Sequence, residues 1–227
     1  MLWIGLDDTD NAESRGTGSL ARRIAADLAA DHNVEGVTRH QLLEDPRVPC
    51  TKRNSCAAIH LEFDKVDQEA LLVRVQKIMA SDFQPGSDPG LCVAREVPNA
   101  IIAFGRFTQV QLVAQQDARD LAADQGIQLL GLGGDEDGVI GALAAVGLAA
   151  QGNDGRYVQV GTIRELSGLQ PVPAVLAAGV TAVQTLDGTP VTKGLVLTDK
   201  LRPARRGGKP VAVVQWEGDH WLPLKLN

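Results

Sequence analysis

Three aspartates stand within four positions, Asp7, Asp8 and Asp10, with Thr9 between them, directly after the apolar run Leu2 to Leu6. Carboxylates this close repel one another unless a cation or a basic group offsets them, and their oxygens suit a hard ion such as Mg2+. A few residues later Gly16-Thr17-Gly18-Ser19 opens a helical pattern, and the free amides of a helix start attract phosphate. A third stretch, Pro46 to Ser55, gathers Arg47, Thr51, Lys52, Arg53 and Asn54, side chains that pair with or donate to phosphate oxygens. Each stretch also has a plainer reading: acids after a strand form turns, a glycine-hydroxyl turn caps a helix, and a basic loop is simply solvated. No Gly-Lys-Ser/Thr follows the glycine turn, so it is not a Walker A loop. Taken together, the three stretches read as a site for Mg2+ and nucleotide phosphates.

The surrounding pattern supplies elements to hold such a site. Leu2 to Leu6 reads as a buried strand, and Ser19 to Ala30 as an amphipathic helix with Leu20, Ile24 and Leu28 on one face. Val34 to Leu43 and Cys56 to Phe63 read as strands and Asp67 to Ala80 as a helix, an order that opens an α+β fold. Asp82 to Gly90 is turn-rich. Asn99 to Ala123 is helical in pattern, with room for two helices meeting near Ala114, Ile127 to Leu132 is a strand, and Val139 to Ala150 is a small-residue helix. The acids Asp135 to Asp137 would complement that helix's dipole. Strands are expected at Arg156 to Ile163, Val180 to Thr185, Lys193 to Leu197 and Val211 to Trp216, with a short helix at Val172 to Ala178. A boundary falls near Gly90 or near Gly152.

With 227 residues and 44% hydrophobic content, the chain can bury one large core or two small ones. A net charge of −6 argues against a protein whose main task is coating nucleic acid. The three cysteines, Cys50, Cys56 and Cys92, show no CxxC spacing, so neither a disulfide framework nor zinc is expected. The four histidines are isolated, and His60 alternates with strand residues. The N-terminus is unlike a signal peptide and Val139 to Ala150 is too short to span a bilayer, so a cytoplasmic protein with no membrane association is expected.

Four segments in order resemble one family. Ile4-Gly5-Leu6-Asp7-Asp8-Thr9-Asp10, with Gly16 before Ser19, resembles the opening IGxDDTD motif and glycine of the archaeal 2-agmatinylcytidine synthetases, which modify an isoleucine tRNA. Val48-Pro49 with Lys52-Arg53-Asn54 resembles their VP-KTRGN segment, Asp88-Pro89-Gly90 their NPG turn, and Gly138 to Gly147 their IGALAAIG helix. The resemblance covers residues 2–150 and, more loosely, the tail. It implies a kinase-like α/β domain over 1–90 and a ferredoxin-like α+β domain with a β-rich tail over 91–227. It also implies ATP and Mg2+ as cofactors. Asp7, Asp8 and Asp10 would hold metal and triphosphate. Gly16, Thr17, Gly18, Lys52, Arg53 and Asn54 would hold phosphates, Asp8 and Ser19 would be catalytic, and Asp88, Gly90 and Gly138 would face substrate. The implied activity is ATP–Mg-dependent phosphotransfer or ATP hydrolysis, ligase-like, with a small molecule, an amine or RNA as acceptor.

The departures are specific. The family's CTT is here Gly18-Ser19-Leu20, and KTRGN is Thr51-Lys52-Arg53-Asn54-Ser55. Family members continue with an OB-fold domain and a zinc ribbon that grip tRNA, for which no CxxC pair stands here. A partner protein supplying RNA binding is therefore an expectation, and a non-catalytic nucleotide-binding module is the alternative.

Overall fold

The computed structural model describes residues 1–51, 53–62, 67–82 and 84–226. Leu2–Asp7 (β1) lies inside the sheet, between Ser55–Leu61 (β3) and Gly90–Ala94 (β4), antiparallel to both. Strand alternation divides its side chains. Leu2, Ile4 and Leu6 enter one core, while Trp3 enters the core on the opposite face. Val34–Gln41 (β2) pairs beyond β3, and Gln128–Gly131 (β5) beyond β4.

Two helices cover the Leu2 face. Thr17–Leu28 (α1) buries Leu20, Ala21, Ile24, Ala25 and Leu28, the spacing of a single helical stripe. Gln68–Ala80 (α2) adds Leu71, Val75 and Met79, and Asp67 caps it by accepting from the amides of Glu69 and Ala70. The run β1-α1-β2-β3-α2-β4, with strand order β4-β1-β3-β2, is a ferredoxin-like connectivity. It falls on residues 2–94.

The other face carries Asn99–Phe107 (α3), Gln115–Asp124 (α4) and Gly138–Gln151 (α5). Residues Val139 to Ala149 of α5 are buried on nearly all sides, because the helix sits between the sheet and its two helical neighbours. Arg156–Gln159 (β6) pairs with β2 and carries the sheet into a β-rich remainder. Beyond β6 come Ala204–Arg206 (β10), Lys209–Glu217 (β11), His220–Pro223 (β12), Leu195–Leu197 (β9) and Leu169–Pro171 (β7), with Ala182–Gln184 (β8) parallel to β11. Val172–Ala177 (α6) and a 3-10 turn at Ile163–Glu165 pack on this part.

The α+β class and the β-rich C-terminal part agree with expectation. Strand β4 does not follow from the sequence reading. It is buried on both faces, so it shows a short apolar run rather than alternation. The sheet runs unbroken past Gly90, where β4 begins. The short strands β7, β10 and β12 are likewise additional. Among the described residues, no helix is long and apolar enough to cross a membrane.

A buried polar chain ties the two parts together. Arg205 in β10 is 4% exposed; it donates to the carbonyls of Ala149 (2.9 Å) and Gly208 (2.7 Å), contacts the Tyr157 hydroxyl, and lies over the Trp3 ring. Ala149 is in the last turn of α5, where the carbonyl ends favour a cation. From Arg205 the chain continues through His60 Nδ1 (3.4 Å), His60 Nε2 to Thr38 Oγ1 (2.8 Å), Thr38 Oγ1 to His40 Nε2 (2.8 Å) and His40 Nδ1 to Asp154 (2.7 Å). One proton assignment satisfies every link with both imidazoles neutral. Arg205 donates to His60, His60 to Thr38, Thr38 to His40, and His40 to the Asp154 carboxylate.

Candidate functional site

The site forms where β1 ends. By strand parity Asp7 faces α5, and a Cβ on Gly141 would stand 1.7 Å from its Oδ2. Gly138 lets the start of α5 come down onto the strand ends: a Cβ there would meet the Asp88 carbonyl oxygen at 2.4 Å and the Gly90 amide nitrogen at 2.6 Å. The Gly138 amide donates to the Asp88 carbonyl, 2.9 Å. Gly138 and Gly90 therefore shape the site by close backbone approach.

Asp8 leaves the strand at φ +48°, the left-handed region that aspartate tolerates better than most residues. The turn aims its carboxylate at Asp88, whose main chain bonds it. Burial pushes the Asp8 carboxyl up to about 6, and the charges of Asp88, Asp10 and Asp137 add to the shift. The Asp7 carboxyl is raised well above its ordinary range by burial first and by Asp8 second. Both groups therefore hold charge at a penalty that a cation would relieve.

Asp10 does something different. Its Oδ1 accepts from the Thr17 amide (3.1 Å) and the Thr17 hydroxyl (2.9 Å), and its Oδ2 accepts from the Thr51 hydroxyl (2.9 Å). Gly16, at the N-cap of α1, offers no side chain, so Asp10 caps the helix from outside. The same carboxylate fastens the basic loop to the acidic turn. Asn54 braces that loop by donating to the Leu43 carbonyl (2.9 Å), and Arg53 pairs with Glu44 (2.9 Å).

Two hollows meet over Asp7, Asp8, Pro49 and Asn54. The polar one, about 430 Å3, reaches Asp10, Gly16, Thr17, Gly18, Arg39 and Arg53. The other, about 210 Å3, runs toward Asp88, Asp137, Gly138, Leu42 and Val113. Acids and arginines thus line the same hollow. Lys52 lies outside the described residues. Ser19 is not brought to the acids: it lines a separate hollow with Arg15, Arg23 and Asp82, and its hydroxyl is approached by Arg22 at 3.4 Å. The helix turn that starts at Thr17 rotates Ser19 away, and the hydroxyl next to the cluster is that of Thr17.

Two site residues escaped the sequence reading. Arg39 lies in β2 at the parity opposite to buried Thr38 and His40, and a charged residue of that parity was the available signal. Burial lowers its pKa and Arg53 lowers it further, against the raising effect of Cys56. Asp137, read as a complement to the helix dipole, also faces the second hollow.

Among the described residues, no three His, Cys, Asp or Glu side chains are grouped as ligands of one ion. Mg2+ needs fewer protein ligands, because it is held by one or two carboxylates together with phosphate and water. Asp7 and Asp8 fit that requirement, whereas Asp10 is engaged by threonines.

No family model matches the chain, and no curated protein does. Solved structures do. TiaS in complex with an isoleucine tRNA and ATP aligns at TM-score 0.56 and 24% identity, over 64% of this chain and 36% of that one. Apo TiaS, an isoleucine-tRNA agmatidine synthetase, aligns at 0.55 and 24%, over 64% and 35%. TiaS with the same tRNA, AMPCPP and agmatine aligns at 0.55 and 23%, over the same shares. The chain has a TiaS-like fold. It spans about a third of the length of these TiaS structures.

Proposed function

We propose that the chain binds ATP with Mg2+ at the end of β1 and uses it to activate an RNA acceptor, by transfer or cleavage of terminal phosphates. One observation carries this reading: Asp7 and Asp8, both with raised pKa values, line one hollow with Arg39 and Arg53 beside the start of α1. Phosphoryl transfer depends mostly on positioning and charge neutralisation, and this arrangement supports both. Asp7 and Asp8 would hold Mg2+, which supplies neutralisation of phosphate charge when bound. Arg39 and Arg53 would orient phosphate oxygens, and Asp10 would keep Thr17 and the Thr51 loop in place. The second hollow, with Asp88 and Asp137, would receive the acceptor. RNA is favoured because the TiaS structures of the same fold hold an isoleucine tRNA with ATP or AMPCPP.

The position of Ser19 outside the shared hollow favours a second reading, in which the chain binds nucleotide without turnover. Calorimetric titration with ATP, with and without Mg2+, tests the proposal. Saturable heat that requires Mg2+ is expected; its absence would sink both readings. Phosphate release on adding RNA separates the first from the second.

A further inference from the structure

We propose that an arginine-rich face, running from the rim of the polar hollow over α1, the 3-10 turn and the segment before β10, binds the phosphodiester backbone of RNA. The inference rests on the RNA acceptor proposed above and assigns where that RNA lies.

The face begins at Gly18, which lines the hollow and whose carbonyl accepts from Arg22 at 2.9 Å. Arg22 is half-buried, and its pKa is lowered first by burial and then by the charges of Arg164, Arg202 and Arg15. Arg202 is lowered by burial and by Arg164. Arg156, which donates to the Leu226 carbonyl, feels Arg39, Arg202 and Arg53 and so links this face to the wall of the hollow. The segments meet on β6: α1 packs against it, Arg164 bonds its Val158 carbonyl, and its Tyr157 amide donates to the Pro203 carbonyl at 2.7 Å, so arginines from four segments distant in sequence lie close together.

The bonds that Arg22, Arg164 and Arg202 make do not neutralise them. Arg164 donates to the Val158 carbonyl (3.0 Å) and Arg202 to the Leu201 carbonyl (2.7 Å). Among the described residues, no carboxylate lies at ion-pair distance from Arg22, Arg164 or Arg202. In a chain of net charge −6, bringing the guanidinium groups of Arg22, Arg164 and Arg202 together without a carboxylate partner favours an external anion. Arg164 and Arg202 line neither hollow around the acids, so a nucleotide seated there leaves them unused. Phosphates repeating along a backbone match both the spread of the face and the donor fork of arginine.

Fluorescence anisotropy of labelled bulk tRNA, at several salt concentrations, would compare the wild-type chain with Arg164→Glu/Arg202→Glu. ATP titrations on the same samples run in parallel. The double variant should bind tRNA at least about tenfold more weakly, with a salt slope shallower by about 2, and with unchanged ATP affinity. Arg164→Lys/Arg202→Lys should recover most of the loss. If the double variant melts early, Arg164→Glu alone, at an exposed position, should still weaken binding by about threefold. Wild-type protein that ignores tRNA, or variants equal to it in affinity and slope, would overturn the assignment whatever the ATP titration gives. Intact tRNA binding without ATP heat would overturn only the nucleotide reading.

Discussion

Asp8 concentrates the chemistry of the site in one side chain. Its folded carboxyl titrates at about 6 against an ordinary 3.8. Between those values the folded chain keeps a proton that the unfolded chain has released. Stability contributed by this group therefore falls as pH rises from 3.8 toward 6 and stays low above it. A bound cation needs the ionised form, so Mg2+-dependent ATP affinity should fall as pH drops through about 6. Asp8→Asn keeps the shape and accommodates the left-handed backbone. At pH 7.5 it should raise the melting temperature by about 2 °C while weakening Mg2+–ATP binding by about tenfold or more. A melt and a calorimetric titration read the two effects together, and an unchanged affinity would remove Asp8 from the proposed metal site. The cluster of three acids was legible in sequence. Their division of labour was not, because Asp10 finds its partners at Thr17 and Thr51 only after the chain has folded.

At the scale of elements, the decisive contact is between β1 and α5. Gly5 in β1 has α5 directly above it, and a Cβ there would stand 2.0 Å from the Ala142 carbonyl oxygen. The helix backbone, not a flexible side chain, occupies that space. Gly5→Ala should therefore push α5 off the sheet, destabilise the chain by about 3 kcal/mol and loosen the proposed ATP site, because α5 also positions Gly138 and Gly141 against Asp88 and Asp7. Urea unfolding checks the first effect. Retention of the wild-type midpoint would mean that helix and strand separate freely. That α5 is a small-residue helix was readable in sequence. Its near-complete burial follows from being covered by α3 and α4 as well as by the sheet.

Across the whole molecule, the chain from Arg205 to Asp154 joins the ferredoxin-like part to the β-rich part. Arg205→Ala would leave the Ala149 carbonyl without its side-chain donor and take one donor each from the Gly208 carbonyl, which keeps the Tyr157 hydroxyl, and from that hydroxyl, with an expected loss of about 3 kcal/mol in chemical denaturation. Arg205→Lys should recover only part of it, since a single ammonium cannot serve the same fork and ring contacts. A wild-type denaturation midpoint in Arg205→Ala would show that the chain does not hold the parts together. Burial lowers the pKa of His40, and burial together with Arg205 and His40 lowers that of His60. Stability from these neutral imidazoles is present above 6.5 and is lost as pH falls below it, the reverse of the Asp8 contribution.

The features legible from residue order alone are local ones: β1, the stripe of α1, the break between α3 and α4, the small-residue helix α5, and an acidic strand end followed by a glycine turn. These are legible because hydrophobic spacing and turn chemistry act between near neighbours. Tertiary structure decided that β4 lies beside β1, that Arg39 and Asp137 join the acids, that Ser19 turns away from them, and that arginines from distant segments form one face. Those outcomes depend on sheet order and on backbone approaches at Gly138 and Gly141, which bring together residues whose sequence separation carries no periodic signal.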